Sequence, residues 1–172
     1  MNVYFLRHAS AGTSRPNPIL DAKRPLDKEG LEQCWMVAQL LNAVDVPFDV
    51  IVSSPLKRAL QTASRVANEI GHDSPISVAK ELSPGASLAD FRRLLHKYSG
   101  QENVMFVGHN PNLTQFLSAT IGDASVRLRK SAIARVDMSM HRPTLQWLVG
   151  PNLLSRFYGS VVKSSRRKTS RK

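Results

Sequence analysis

Apolar residues in this chain fall into runs whose spacing switches between two periods. Val3 to Leu6 is a β-branched and aromatic run, and the predicted strand extends from Val3 to His8. "DVIVSS" (49–54) and "NVMFVGH" (103–109) have the same character, that of strands covered on both faces. Between them the period lengthens. A helix is predicted from about Lys28 to Asn42, with Leu31, Cys34, Trp35, Ala38 and Leu41 on one face. A second runs from Leu56 to Ile70, with Leu56, Ala59, Leu60, Ala63, Ala67 and Ile70 inward and Gly71 closing it. "PISVA" (75–79) reads as a short strand. Leu88 to Tyr98 is an amphipathic helix opened by Ser87, with Asp90 three residues on in a capping-box pattern. Pro111 to Ile121 is a further helix, ended by Gly122, and "AIARVDM" and "TLQWLV" form a final pair of strands read as a hairpin. The Pro-containing stretch "SAGTSRPNPILDAKRPL" is read as a polar loop. Strands alternating with helices predict an α/β fold: three layers, α/β/α, with a mostly parallel central sheet.

Length and composition narrow this without changing it. At 172 residues, 42% hydrophobic and 22% charged, the chain fits one domain with a single sizeable core. No apolar run approaches the roughly 20 residues of a membrane span, and Arg7 and His8 interrupt the first one too early for a signal peptide. A cytoplasmic protein is the simplest expectation. The single cysteine, Cys34, excludes an internal disulfide and a cysteine-based zinc site.

The formal charge of +11 is unevenly placed. The end "KSSRRKTSRK" carries six cations and no acid, and without those six the remainder stands at +5. The expected division is therefore a folded domain over 1–162 and a basic, disordered tail over 163–172. A solubilising tail is the favoured reading; a weak contact with a polyanion such as nucleic acid, anionic lipid or an acidic protein is the other.

Candidate chemistry gathers where strands end. His8 closes the first strand. "SSPLKRA" (53–59) closes the second, with Ser54 as expected N-cap, Pro55 at the first helical position and Arg58 in the first turn. "GHNPNL" (108–113) repeats the design with His109, Asn110 as cap and Pro111. In an open α/β sheet the ligand crevice lies at the carboxyl ends of the strands. Arg7, His8, Arg58 and His109 are thus expected to converge there, beside two helix N-termini. Guanidinium groups and helix N-termini favour a phosphoryl group. Alone, each signal is ordinary: an Arg-His pair is usually a surface accident, and a histidine after a strand is more often a cap or core residue. Their joint placement is what carries the reading. The remaining histidines, His72, His96 and His141, are expected at the surface.

In order, "LRHASAG", "DAKRPLDKEG", "SSPLKRALQTA" and "VGHNPNL" resemble the histidine phosphatase superfamily, and within it the SixA-type phosphohistidine phosphatases. The resemblance runs from residue 3 to about residue 120. It implies a phosphoglycerate mutase-like fold, His8 as phosphoryl-accepting nucleophile, and Arg7, Arg58 and His109 as ligands of the phosphoryl oxygens. It also places Arg24 near the pocket. The superfamily's commoner Arg-His-Gly is Arg-His-Ala here, with Ala9, which is compatible with the SixA-like branch.

The physical reading is consistent with this. A neutral imidazole can attack phosphorus in line and carry the phosphoryl group covalently before water releases it. No cofactor is called for. A zinc site is disfavoured, since Arg7 and Arg58 would repel a cation and no clustered carboxylates or His-x-x-x-His accompany the histidines. Ester substrates need a general acid for the leaving alkoxide. Glu81, in the segment where the superfamily's ester-cleaving members usually carry a glutamate, is one candidate and Asp21 another; for both, an ordinary loop carboxylate is the competing reading. A phosphoramidate makes the acid less critical, because a protonated imidazole leaves as a neutral molecule. Only one short helix separates "PISVA" from "NVMFVGH", so no large cap insertion is expected and the pocket should be open. An open pocket suits a phosphorylated protein, such as a histidine phosphotransfer domain, better than a small metabolite. The alternatives are a broad-specificity phosphatase of small phosphate monoesters and, in another class, an anion- or nucleic-acid-binding module that uses the basic tail.

Overall fold

The computed structural model describes residues 1–159; the predicted tail, 163–172, lies outside the described residues. Six strands form one sheet: β1 (Asn2–Arg7), β2 (Val50–Ser53), β3 (Ser77–Val78), β4 (Asn103–Gly108), β5 (Ile133–Asp137) and β6 (Thr144–Val149), in the spatial order β3-β2-β4-β1-β5-β6. The pairs β1–β4, β2–β4 and β2–β3 are parallel, while β5 runs antiparallel to both β1 and β6. β1 and β4, the most apolar runs, occupy the middle, and Val3, Phe5, Leu6, Val104, Phe106 and Val107 are fully buried. β5 and β6 form the expected hairpin.

The alternation of side chains across the sheet sends successive residues to opposite faces. Tyr4, Leu6, Ile51, Met105 and Val107 meet Cys34, Val37 and Leu41 of α2 (Lys28–Ala43) and Ala63 and Val66 of α3 (Lys57–Glu69). Val3, Phe5, Val104 and Phe106 meet Phe91 and Leu94 of α4 (Leu88–Lys97) and Leu113, Phe116 and Leu117 of α5 (Asn112–Thr120). The three-layer α/β/α architecture is thus present, and between β3 and β4 there is one α-helix, α4, preceded by a single turn of 3-10 helix at Lys80–Leu82.

Details differ from the sequence reading. The stretch read wholly as loop contains a short helix, α1 (Pro18–Ala22), capped by Asn17, whose side chain accepts the N–H of Ile19 and Leu20. Residues 151–159 are also helical, and Leu154 buries against the α2–α3 face. Leu31, placed on the apolar face, is 43% exposed, because the buried stripe of α2 runs through Cys34, Val37, Ala38 and Leu41 instead. Ser54 does not cap α3: Leu56 holds that position and the helix starts at Lys57. Nor does Asn110 cap α5, where Pro111 takes the N-cap position. Both side chains have partners in the site instead. His96 and His141 are exposed and His72 is half-buried. Among the described residues no helix is long and apolar enough to cross a membrane.

Candidate active site

The strand order brings the three predicted strand ends together. The His8 N–H donates to the Gly108 carbonyl (3.0 Å) and the Ser54 N–H to the Val107 carbonyl (3.0 Å), so the chain just past β1, β2 and β4 stays in register. The rings of His8 and His109 lie 4.9 Å apart, centre to centre. Both are buried, as is Arg58, while Arg7 is half-buried.

Each ring is oriented by one hydrogen bond. His8 Nδ1 lies 2.8 Å from the Ala9 carbonyl, which can only accept; the proton is therefore on Nδ1 and the lone pair on Nε2. Ser54 Oγ accepts the Leu56 N–H (3.3 Å) and lies 2.9 Å from His109 Nε2. With the hydroxyl proton given to Nε2, the network assigns the His109 proton to Nδ1. Of the four buried side-chain nitrogens among the described residues that lack a hydrogen-bond partner, three are Arg7 Nε, Arg58 Nε and His109 Nδ1. Buried donors are normally satisfied. Three free donors around one free imidazole lone pair form a cradle for an oxyanion.

Burial, assisted by the charges of Arg58, Arg7 and Lys130, pushes the His8 pKa down to about 4 despite the opposing Ala9 hydrogen bond. Burial, with His8, Arg58 and Arg7, takes His109 down to about 2. Both rings are neutral at neutral pH. Each binds a proton more readily in the unfolded chain, whose histidines titrate near 6.5, so stability falls as pH drops from about 6.5 toward 4. Thermal melts from pH 7 to 4 should show this loss, with a shallower slope in His8→Gln; parallel slopes in both proteins would contradict it.

The cradle stands on a second set of contacts. Arg7 Nη1 donates to the Leu128 carbonyl (3.0 Å), which also accepts from Asn110 Nδ2 (2.8 Å). Arg58 Nη1 donates to the Asp21 carbonyl (2.9 Å) and to Asp21 Oδ2 (3.1 Å). Asp21 Oδ1 accepts from the Arg15 N–H and from Arg24 Nε, both at 2.9 Å. The loop after His8 is held from both sides: the Ala9 N–H reaches Thr62 Oγ1 (3.1 Å), the Ser10 N–H reaches Gln33 Oε1 (2.8 Å), and Asp27 Oδ2 accepts from Ser10 Oγ (2.8 Å) and the Gly12 N–H (2.6 Å).

Residues 3–83 match the family model described as histidine phosphatase superfamily (branch 1), a span that holds Arg7, His8, Arg24 and Arg58. The chain belongs to the histidine phosphatase superfamily. Phosphohistidine phosphatase SixA of Escherichia coli is 27% identical over 156 residues, covering 88% of this chain and 94% of that protein. An uncharacterised protein of Picosynechococcus is 34% identical over 122 residues, which cover 69% of this chain and 72% of the relative. Among solved structures, SixA complexed with tungstate superimposes with a TM-score of 0.81 at 25% identity, over 90% of this chain and 99% of its own.

Within this histidine phosphatase the four strand-end residues come together as expected, and the two candidate acids part company. Asp21 is unsuited to donate a proton. The Arg15 N–H, Arg24 and Arg58 hold its carboxyl below the usual carboxylate range against the opposing effect of burial, and it serves as the anchor between two guanidinium groups. Arg24 is buried and spends Nη1 on the carbonyls of Ala11 (2.7 Å) and Gly12 (2.9 Å), bracing the loop that follows His8. Glu81 sits half-buried on the 3-10 turn, next to Leu82, whose carbonyl packs against Gly108. Sequence reasoning missed Ser54 as the partner of His109, and Asp27, Gln33 and Thr62 as supports of the loop. For Ser54 the cap pattern was a competing signal; for the others nothing local marks a partner 15 or more residues away.

Proposed function

We propose that this phosphatase removes the phosphoryl group from a phosphohistidine side chain of a protein, through a covalent intermediate on His8. The observation that carries the reading is the free lone pair of His8 Nε2, on a ring kept neutral, among the unpartnered N–H groups of Arg7, Arg58 and His109. Nε2 attacks phosphorus in line. The P–Nε2 bond forms as the bond to the substrate imidazole breaks, and the bonding pair returns to the leaving nitrogen. If that ring carries a proton on its other nitrogen, it departs neutral. Arg7, Arg58 and His109 donate to the oxygens on which transition-state charge is spread. Water then attacks the phosphohistidine of the enzyme, releases inorganic phosphate and restores His8.

Two observations favour phosphoramidate over ester. Asp21 is committed to two arginines, which leaves Glu81 as the one remaining candidate acid for an alkoxide. Among the described residues the connection from β3 to β4 adds one α-helix, packed on the core, and so contributes no large helical cap to enclose a small metabolite. The similarity to SixA, named as a phosphohistidine phosphatase, supports the same class. The test compares phosphate release from a phosphohistidine-bearing protein and from para-nitrophenyl phosphate, with chelator present. The expected result is a kcat/KM at least about 100-fold higher for the phosphoprotein, retained in Glu81→Gln. Fast ester hydrolysis abolished in Glu81→Gln would replace this reading with a monoesterase.

A further inference from the structure

Lys130 lies outside the cradle formed by Arg7, Arg58 and His109, yet its backbone neighbour is hydrogen-bonded to Arg7 and His8. The segment joining α5 to β5 folds back on the end of β1. There the Ser131 N–H lies 3.1 Å from the Arg7 carbonyl and 3.3 Å from that of His8, and the Leu128 carbonyl takes the Arg7 and Asn110 donors. Ser131 adopts φ +58°, a left-handed turn that these bonds enforce. Lys130 stands between the two anchors. Its side chain is half-buried, and among the described residues its ammonium has no hydrogen bond or ion pair. Arg127 and Arg129 of the same segment are exposed.

The Lys130 charge acts on two groups of the site. It lowers the proton affinity of His8, where burial is the largest cause, and it acts on the carboxyl of Asp27, where burial opposes the Gly30, Ser10 and Gly12 hydrogen bonds. Asp27 grips Ser10 and Gly12, just after His8. The Ser131 and Leu128 contacts hold residue 130 against the end of β1, which carries Arg7 and His8. Among the described residues no carboxylate lies within ion-pair distance of the Lys130 ammonium, so its charge is available to an incoming anion.

We infer that Lys130 is a third cation of the oxyanion site, contributed by the α5–β5 segment, which binds a phosphoryl oxygen of the incoming substrate alongside Arg7 and Arg58. This rests on the phosphatase reading for the ligand class but not on phosphohistidine as substrate. Calorimetric titration with tungstate, a tetrahedral oxyanion, tests it on the wild type, Lys130→Met and Lys130→Arg. The methionine variant should bind tungstate about 10-fold or more weakly, with the arginine variant restoring most of the loss and melting temperatures unchanged. In turnover, Lys130→Met should raise KM more than it lowers kcat. Equal tungstate affinity in Lys130→Met would overturn the inference. So would a lowered melting temperature that Asp27→Asn cancels, since Lys130 would then serve Asp27. A wild type that binds no tungstate overturns it as well. A wild type that binds tungstate but leaves phosphohistidine proteins untouched would count against the proposed substrate alone.

Discussion

Replacing His8 by alanine should reduce phosphate release from a phosphohistidine protein by at least about 1,000-fold, the scale seen when a covalent nucleophile is removed. The wild type, quenched in mid-turnover, should carry a phosphoryl group that is labile in acid and stable in alkali, as a phosphoramidate is. His8→Ala should carry none. The reason lies in the absence of a substitute: the other ring in the cradle, His109, has Nε2 engaged with Ser54 and its proton assigned to Nδ1, so neither nitrogen offers a free lone pair. Retention of more than about one per cent of turnover in His8→Ala would mean that water attacks the substrate directly, and the covalent route would be abandoned. The oxyanion cradle itself should survive the substitution, so tungstate binding separates loss of the nucleophile from collapse of the site.

Gly30→Ala should be the most damaging glycine-to-alanine change in the protein. Gly30 lies in the first turn of α2, and a Cβ there would stand 2.0 Å from the Ser10 carbonyl oxygen and 2.9 Å from its carbon. Both are backbone atoms and cannot swing aside. The contact is tight because Asp27 binds both partners: Oδ1 accepts the Gly30 N–H (2.7 Å), while Oδ2 holds Ser10 and Gly12. The loop leaving His8 is pressed onto the start of α2, and a methyl group must separate them. The expected cost is about 3 kcal/mol or more, at the upper end for overpacking. For a chain of this size that corresponds to a fall of about 6–12 °C in melting temperature. Activity should fall further than stability explains at temperatures where the variant stays folded, because the Ala9 carbonyl, next to Ser10 in the displaced loop, orients the His8 ring. A melting temperature within about 2 °C of the wild type would show that the loop yields more easily than its hydrogen bonds suggest.

Local pattern determined a large part of this protein. Continuous apolar runs marked β1, β2 and β4 as buried strands, the longer period marked α2 to α5, and the placement of Arg7, His8, Arg58 and His109 near strand ends followed from the same segments. Those features depend on residues close in sequence, where side-chain period and turn chemistry act directly. The helix α1 escaped, since five residues, none of them buried, provide no apolar stripe to read. Ser54 and Asn110 were misplaced as caps for a related reason. A Ser or Asn before a helical run suits a cap locally, but His109 and Leu128, 55 and 18 residues away respectively, compete for those side chains. Only the assembled sheet decides such contests, because it alone sets which distant donors and acceptors share one buried space. The same holds for Asp21. In the sequence it is a carboxylate free to act as an acid, whereas the fold surrounds it with Arg24 and Arg58 and keeps it ionised. Residue identity determined what chemistry was available; which nitrogen kept its lone pair, which carboxyl kept its charge and which cation was left without a partner depended on burial and hydrogen bonds between segments that meet only when the chain is folded.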